Sequence, residues 1–117
     1  MHIETFAEDG IFAPARIAAA LRTAKDEVAR TVGLGRDALV RAHRLQRPKT
    51  QKRLREMIKI LMNKVEPRFG SVLIAYAWYR SEPLAGFDGQ SAMQLVRDGR
   101  AVKVVDYIDA VDAGVHV

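Results

Sequence analysis

The residues with the strongest chemical bias in this 117-residue chain are cations gathered in one stretch. Residues 41–64 contain nine Lys and Arg but only one acid, Glu56. Residues 1–70 carry 15 Lys and Arg against 8 Asp and Glu, whereas residues 71–117 carry 4 against 6. Guanidinium and ammonium groups at this density neutralise phosphates, so the first half indicates a polyanion partner. A solvated basic face with no partner is the alternative.

Six cations are the candidate nucleic-acid contacts. An Arg fork matches a phosphate or a guanine edge, and a Lys acts as a point charge on the backbone. The predicted DNA-binding residues are Arg36, Arg41, Arg44, Lys49, Lys52 and Arg53.

The sequence contains no motif that indicates catalysis or metal binding. No carboxylate pair lies in a motif that fixes acid and base roles, and there is no nucleophile elbow, phosphate-cradling glycine loop or HExxH spacing. The three His have no mutual spacing for a metal site, and the chain has no Cys. We therefore expect a protein that is not an enzyme and has no cofactor and no metal.

Hydropathy bears on the location of the protein. No apolar run approaches the roughly 20 residues of a membrane span, and the first residues lack the basic region of a secretory signal. We expect a cytoplasmic protein with no membrane contact.

The elements that position these residues are predicted to be helices, with no convincing strand. Helices are expected from Pro14, across "SVLIAYAWYR" before Pro83, from Ser91 to Gly99, and from about Arg100 to Ala113. A long amphipathic helix is expected to begin at an N-capping Thr50, after a break at Pro48, and to end at about Val65, where "EPRFG" interrupts it.

The segment "KDEVARTVGLGRDALVRAHR" has the spacing of a helix-turn-helix. Ala29 stands where two helices come close, and Gly33 supplies a turn residue that often needs a positive φ. The second helix would present Arg36, Arg41 and Arg44 outward. A helical hairpin that never meets DNA is the alternative interpretation.

A recognisable set of residues is distributed over the C-terminal half: Trp78, Pro83, Leu84, Leu95, Gly99, Val104, Tyr107, Ile108, Gly114 and Val115. With these residues the C-terminal half resembles the toxin-binding domain of Xre/MbcA/ParS-type antitoxins, which are partners of RES-domain toxins. The resemblance covers about residues 71–117, and its departures lie in the loop around Gly86 and Gly89.

The resemblance implies a specific mode of action. RES-domain toxins consume NAD or transfer ADP-ribose from it, and antitoxins of this family place their C-terminal end in the NAD pocket. Carried over to this chain, the inhibitory segment is Gly114, Val115, His116 and Val117. Trp78, Leu84 and Phe87 are the further candidates for toxin contact, since aromatic residues are frequent interface anchors.

The predicted organisation is all-α. It comprises an N-terminal extension (1–13), an Xre-like helix-turn-helix subdomain (14–66) and a small helical toxin-binding or dimerisation domain (67–117). The favoured function is an antitoxin that neutralises a RES-domain toxin and represses its own operator DNA, acting as a homodimer and in a larger complex with toxin. The alternatives are a transcriptional regulator whose C-terminal half only dimerises, and a helical scaffold with no DNA role.

Overall fold

A computed structural model describes residues 3–35 and 37–114. After a 3-10 turn at Ile3–Phe6 come two short strands, β1 (Ala7–Glu8) and β2 (Ile11–Phe12). The helices follow in the order α1 (Pro14–Leu21), α2 (Lys25–Thr31), α3 (Asp37–Val40), α4 (Ala42–Leu45), α5 (Pro48–Lys59), a π-helical segment (Ile60–Val65), α6 (Glu66–Phe69), α7 (Val72–Ser81), α8 (Ala92–Arg97) and α9 (Ala101–Asp112). The predicted all-α class is confirmed.

The β1–β2 hairpin is the element that the sequence analysis did not predict. Its loop is Asp9-Gly10, and both residues have positive φ (51° and 79°), as a tight two-residue hairpin turn requires. Phe6 and Phe12 are buried on the core, and the Phe12 N–H donates to Gln51 Oε1 at 2.9 Å. Each strand is only two residues long, too short for an alternating pattern to be visible in the sequence.

The long helix differs from its prediction at both ends. It begins at Pro48, whose missing N–H costs nothing in the first turn, whereas Thr50, the predicted N-cap, is buried inside the helix. At the other end the chain passes through the π-helical segment into α6 rather than breaking. Pro67 lacks an N–H and its ring would clash with the carbonyl of Asn63 in a regular α-helix, and the wider π turn relieves that clash.

The C-terminal helices follow their predicted bounds closely. Ser91 caps α8 through a capping box, in which its Oγ accepts from the Gln94 N–H at 3.3 Å and the Ser91 N–H donates to Gln94 Oε1 at 2.8 Å. Gly99 follows the helix with φ +78°, and α9 then begins at Ala101. These ends are encoded locally, which is why the sequence predicts them.

The buried side chains form one continuous core that draws on both halves of the chain. Ile17, Val28 and Leu54 from the first half share it with Tyr79 and Leu95 from the second. The Cα radius of gyration, 13.8 Å, is close to the roughly 13 Å expected of one domain of this length. The two predicted subdomains therefore share a core, and the boundary between them stays a prediction.

Candidate functional site

Helix α9 carries the predicted inhibitory segment and is held near its C-terminal end by two ion pairs. Lys64 Nζ lies 2.7 Å from Asp109 Oδ1, and the Arg68 guanidinium pairs with the Asp112 carboxylate. These pairs join α9 to the π-helical segment and to α6. Asp109 and Asp112, both exposed, thus connect α9 to these two elements, and Asp106, one turn earlier, is exposed as well.

The segment itself leaves α9 at Gly114. Gly114 has φ +81°, the left-handed conformation that ends many helices, and it is exposed. Val115, His116 and Val117 lie outside the described residues. Their role in toxin binding stays a prediction.

The other three candidate toxin contacts differ in accessibility. Leu84 is buried, so its side chain supports the loop between α7 and α8 from inside. Phe87 is half-buried, and its ring lies edge-on to the Tyr107 ring with 6.1 Å between the two ring centroids. The Arg100 guanidinium lies 6.0 Å from the centroid of the Phe87 ring. Trp78 is half-buried on α7. Of the three, Trp78 and Phe87 keep side-chain surface for a partner.

The predicted DNA-binding residues that the structure describes lie on α4, on α5 and in the bend between α3 and α4. The predicted recognition helix is divided at Arg41 into the four-residue helices α3 and α4, and Arg41 itself is exposed. Arg44 Nη1 lies 3.7 Å from Asp37 Oδ2. Lys49 and Lys52 are exposed on α5. Arg36 lies outside the described residues, and whether this arrangement reads DNA stays a prediction.

Arg53 is engaged within the protein. Its Nη1 donates to the carbonyl oxygens of Val32 at 3.1 Å, Val96 at 2.6 Å and Arg97 at 3.1 Å. These carbonyls lie at the C-terminal ends of α2 and α8, where backbone oxygens lack helical partners and the helix dipoles are negative. The guanidinium therefore joins the basic half of the chain to the C-terminal half.

The same junction contains two further contacts. Gly33, with φ +75°, lies so close to Arg97 that an added Cβ would be 2.9 Å from the Arg97 carbonyl oxygen. The Tyr79 hydroxyl donates to the Thr31 carbonyl at 2.8 Å, and burial raises the pKa of that hydroxyl above its usual range. The positive φ predicted for Gly33 is confirmed, but its close neighbour is α8 and was not predicted.

Sequence reasoning missed two groups of accessible residues. Arg55 and Lys59 are exposed on α5, three and seven residues after Lys52, and that helical spacing was the available signal. Phe69 and Ile74 are large apolar side chains that are 43% and 52% exposed. Their sequence context gave no signal, since an apolar residue beside a glycine or in an apolar helix is usually buried.

The geometry defines a class of protein: a small helical binding module with a basic first half and a braced C-terminal helix. Residues 65–114 match the family model of the antitoxin Xre/MbcA/ParS C-terminal toxin-binding domain. No curated protein and no solved structure matches the chain. The resemblance identified in the C-terminal half is thereby confirmed.

The family match defines the partner in general terms. The matched domain is described as the toxin-binding domain of an antitoxin, and an antitoxin family indicates a toxin partner and a regulatory, non-enzymatic role. Among the described residues, no helix combines the length and apolar character needed to cross a bilayer.

Proposed function

We propose that this antitoxin neutralises a RES-domain toxin that consumes NAD or transfers ADP-ribose, and that it does so by inserting residues 114–117 into the NAD pocket. The observation that carries the proposal is the match of residues 65–114 to a toxin-binding domain, which ends where the inhibitory segment begins. The bracing of α9 supports it, because a segment that must enter a pocket is best held on a fixed helix.

The chemistry of the segment suits this role. Gly114 lets the chain turn away from the helix axis, and Val115 provides an apolar anchor. His116 has an aromatic ring with one donor and one acceptor nitrogen, which can stack or hydrogen-bond where a nucleotide base would bind. Occupying the pocket would exclude NAD by direct competition.

Deleting Val115–Val117 tests the inhibitory segment. We expect the truncated chain to bind the toxin but to leave NAD consumption active, measured as NAD loss in a mixture of the purified proteins. His116→Ala is expected to show a weaker form of the same defect. Complete inhibition by the truncated chain would show that the surface of the domain, and not this segment, blocks the toxin.

We propose that the basic half of the chain binds the operator of its own operon. The exposed cations Arg41, Lys49 and Lys52 support this role, together with Arg55 and Lys59 on the same helix as the two lysines. Arg53 contributes less directly, since its guanidinium is bound to backbone carbonyls. A homodimer would place two such surfaces on paired half-sites.

Salt dependence tests the DNA role. Counterions are released when cations meet phosphates, so operator affinity should fall steeply between about 50 and 200 mM salt. Lys52→Ala should weaken binding and lower the salt slope by about one. Absence of a mobility shift on the promoter at low salt, with toxin present, would favour a helical scaffold with no DNA role.

A further inference from the structure

We propose that Phe69 and Ile74, here called the apolar rim, form the surface on which the body of the toxin docks beside the inhibitory segment. The inference rests on the proposed function in one respect, the insertion of residues 115–117 into a pocket of the toxin. It adds a second anchor outside that pocket.

Both residues of the apolar rim are large apolar side chains that are exposed. In the part of the chain that the structure describes, the large apolar side chains that are exposed are Val40 (65%), Phe69 (43%), Ile74 (52%) and Val102 (68%). Single exposed apolar residues are common on soluble proteins, so exposure alone does not define a binding surface. The location of each of the four residues relative to the inhibitory segment therefore decides which of them is a candidate for toxin contact.

Phe69 directly follows a residue that contacts the end of α9. It is the last residue of α6, directly after Arg68, and the Arg68 guanidinium pairs with Asp112, two residues before Gly114. Helix α6 is thus tied to the point where the inhibitory segment leaves the fold. Phe69 is the exposed large apolar side chain nearest in the chain to that tie.

The length of the segment limits where the toxin can be. Three residues span at most about 10 Å when fully extended, so a pocket that receives Val115–Val117 lies within about 10 Å of Gly114. A protein large enough to hold such a pocket must therefore rest against this end of the antitoxin. It would cover Phe69, and burying an exposed aromatic ring favours the complex.

Ile74 extends the rim along α7. Ser71 caps that helix by accepting from the Ile74 N–H at 3.3 Å, which fixes Ile74 in the first turn after the bend at Gly70. Ile74, Ala77 and Trp78 share a face of α7 at helical spacing, with Ile74 and Ala77 exposed and Trp78 half-buried. Ile74 therefore lies on the same face of α7 as Trp78, the aromatic residue that the sequence analysis predicts as a toxin contact.

The test compares rim variants with matched exposed residues elsewhere. The probe is a RES-domain toxin whose NAD consumption this chain inhibits. It is inactivated by substitution and titrated calorimetrically with the full-length chain and with the chain lacking residues 115–117. We expect Phe69→Ser to raise Kd about tenfold in both forms, and Ile74→Ser to raise it by a smaller factor. The melting temperature of each variant checks folding.

Val102→Ser and Val40→Ser are the controls. Val102 lies in the toxin-binding domain but twelve residues before Gly114 along α9, about 18 Å away, and Val40 lies in the basic half. Both should leave Kd within about twofold of the parent. An unchanged Kd in Phe69→Ser, or equal losses in Val102→Ser, would overturn the proposal.

Two other outcomes distinguish toxin docking on the apolar rim from dimerisation and from insertion of residues 115–117. If Phe69→Ser dissociates a homodimer while toxin affinity is unchanged, the rim joins two copies of this chain and the proposal is wrong. If removal of residues 115–117 leaves inhibition intact but Phe69→Ser still weakens binding, the inserted segment is refuted and the rim is supported.

Discussion

Two glycines of one turn show how differently neighbouring residues can be constrained. Gly33 has φ +75° and lies against the backbone of Arg97, whereas Gly35 has no positive φ and no atom within 4 Å of an added Cβ. A side chain at position 33 would therefore be unfavourable both for the backbone conformation and for the contact with Arg97. The helix-turn-helix spacing predicts the positive φ of Gly33, but the sequence "GLG" gives no sign of its close approach to Arg97.

Substitution by alanine should separate the two glycines. Gly33→Ala is expected to lower the free energy of unfolding by about 2–3 kcal/mol, because the left-handed backbone is strained and the Arg97 carbonyl must move. Gly35→Ala should be neutral or stabilise the fold by up to about 1 kcal/mol, since it restricts the unfolded chain. Urea denaturation measures both, and equal effects would contradict the close approach of α2 and α8.

Arg53 is a predicted DNA contact, and in the structure it donates hydrogen bonds to backbone carbonyls. Arg53→Ala should cost about 2–3 kcal/mol of unfolding free energy, because three carbonyl oxygens lose a charged donor. Lys52→Ala, at the exposed neighbouring position, should change stability by less than about 0.5 kcal/mol. If Arg53→Ala reduced operator binding without loss of stability, Arg53 would be a direct DNA contact.

At the scale of elements, the π-helical segment and α6 decide how the C-terminal half is arranged. The wider π turn carries the chain past Pro67, which cannot donate to Asn63 in an α-helix. Helix α6 then places Arg68 against Asp112 of α9 and leaves Phe69 at the surface. The segment "EPRFG", which the sequence analysis interprets as a helix break, is thus a continuous helical connection that contacts α9 through Arg68.

Helices α2 and α7 are linked by the buried Tyr79 hydroxyl, and this link has a pH dependence. Burial raises the pKa of Tyr79 in the folded protein above the value of about 10 in the unfolded chain, so ionisation favours unfolding above pH 10. Between pH 9 and 11 the parent should lose about 1.4 kcal/mol more stability than Tyr79→Phe.

Denaturant titrations at several pH values measure this difference. At neutral pH, Tyr79→Phe should already be about 1–2 kcal/mol less stable than the parent, because the Thr31 carbonyl loses its donor. The difference between the two proteins should therefore shrink as the pH rises. Parallel pH profiles would mean that Tyr79 is not buried in this contact.

The whole molecule joins the predicted DNA-binding half and the toxin-binding domain through one core and the junction at Arg53, Gly33 and Tyr79. This predicts a single cooperative unfolding transition. Trp78 is the only tryptophan, so its fluorescence reports on the C-terminal half, whereas far-ultraviolet circular dichroism reports on all helices. The two curves should coincide, and separate midpoints would show two independent subdomains.

The features that depend on local order could be predicted from the sequence: the helical class, the Ser91 cap, the ends of α8 and α9, and the family resemblance of the C-terminal half. These follow from the spacing and type of nearby residues. The Asp9-Gly10 hairpin turn was also encoded locally, but strands of two residues give no period.

Only the tertiary structure decided which side chains are free to meet a partner. Arg53 and Lys52 are adjacent cations, yet one binds backbone carbonyls from two helices and the other is exposed. Phe69 is an apolar residue that remains 43% exposed, although the Arg68 beside it pairs with Asp112 of α9. Such outcomes depend on contacts between residues 40 or more positions apart in the chain, and no local pattern specifies those contacts.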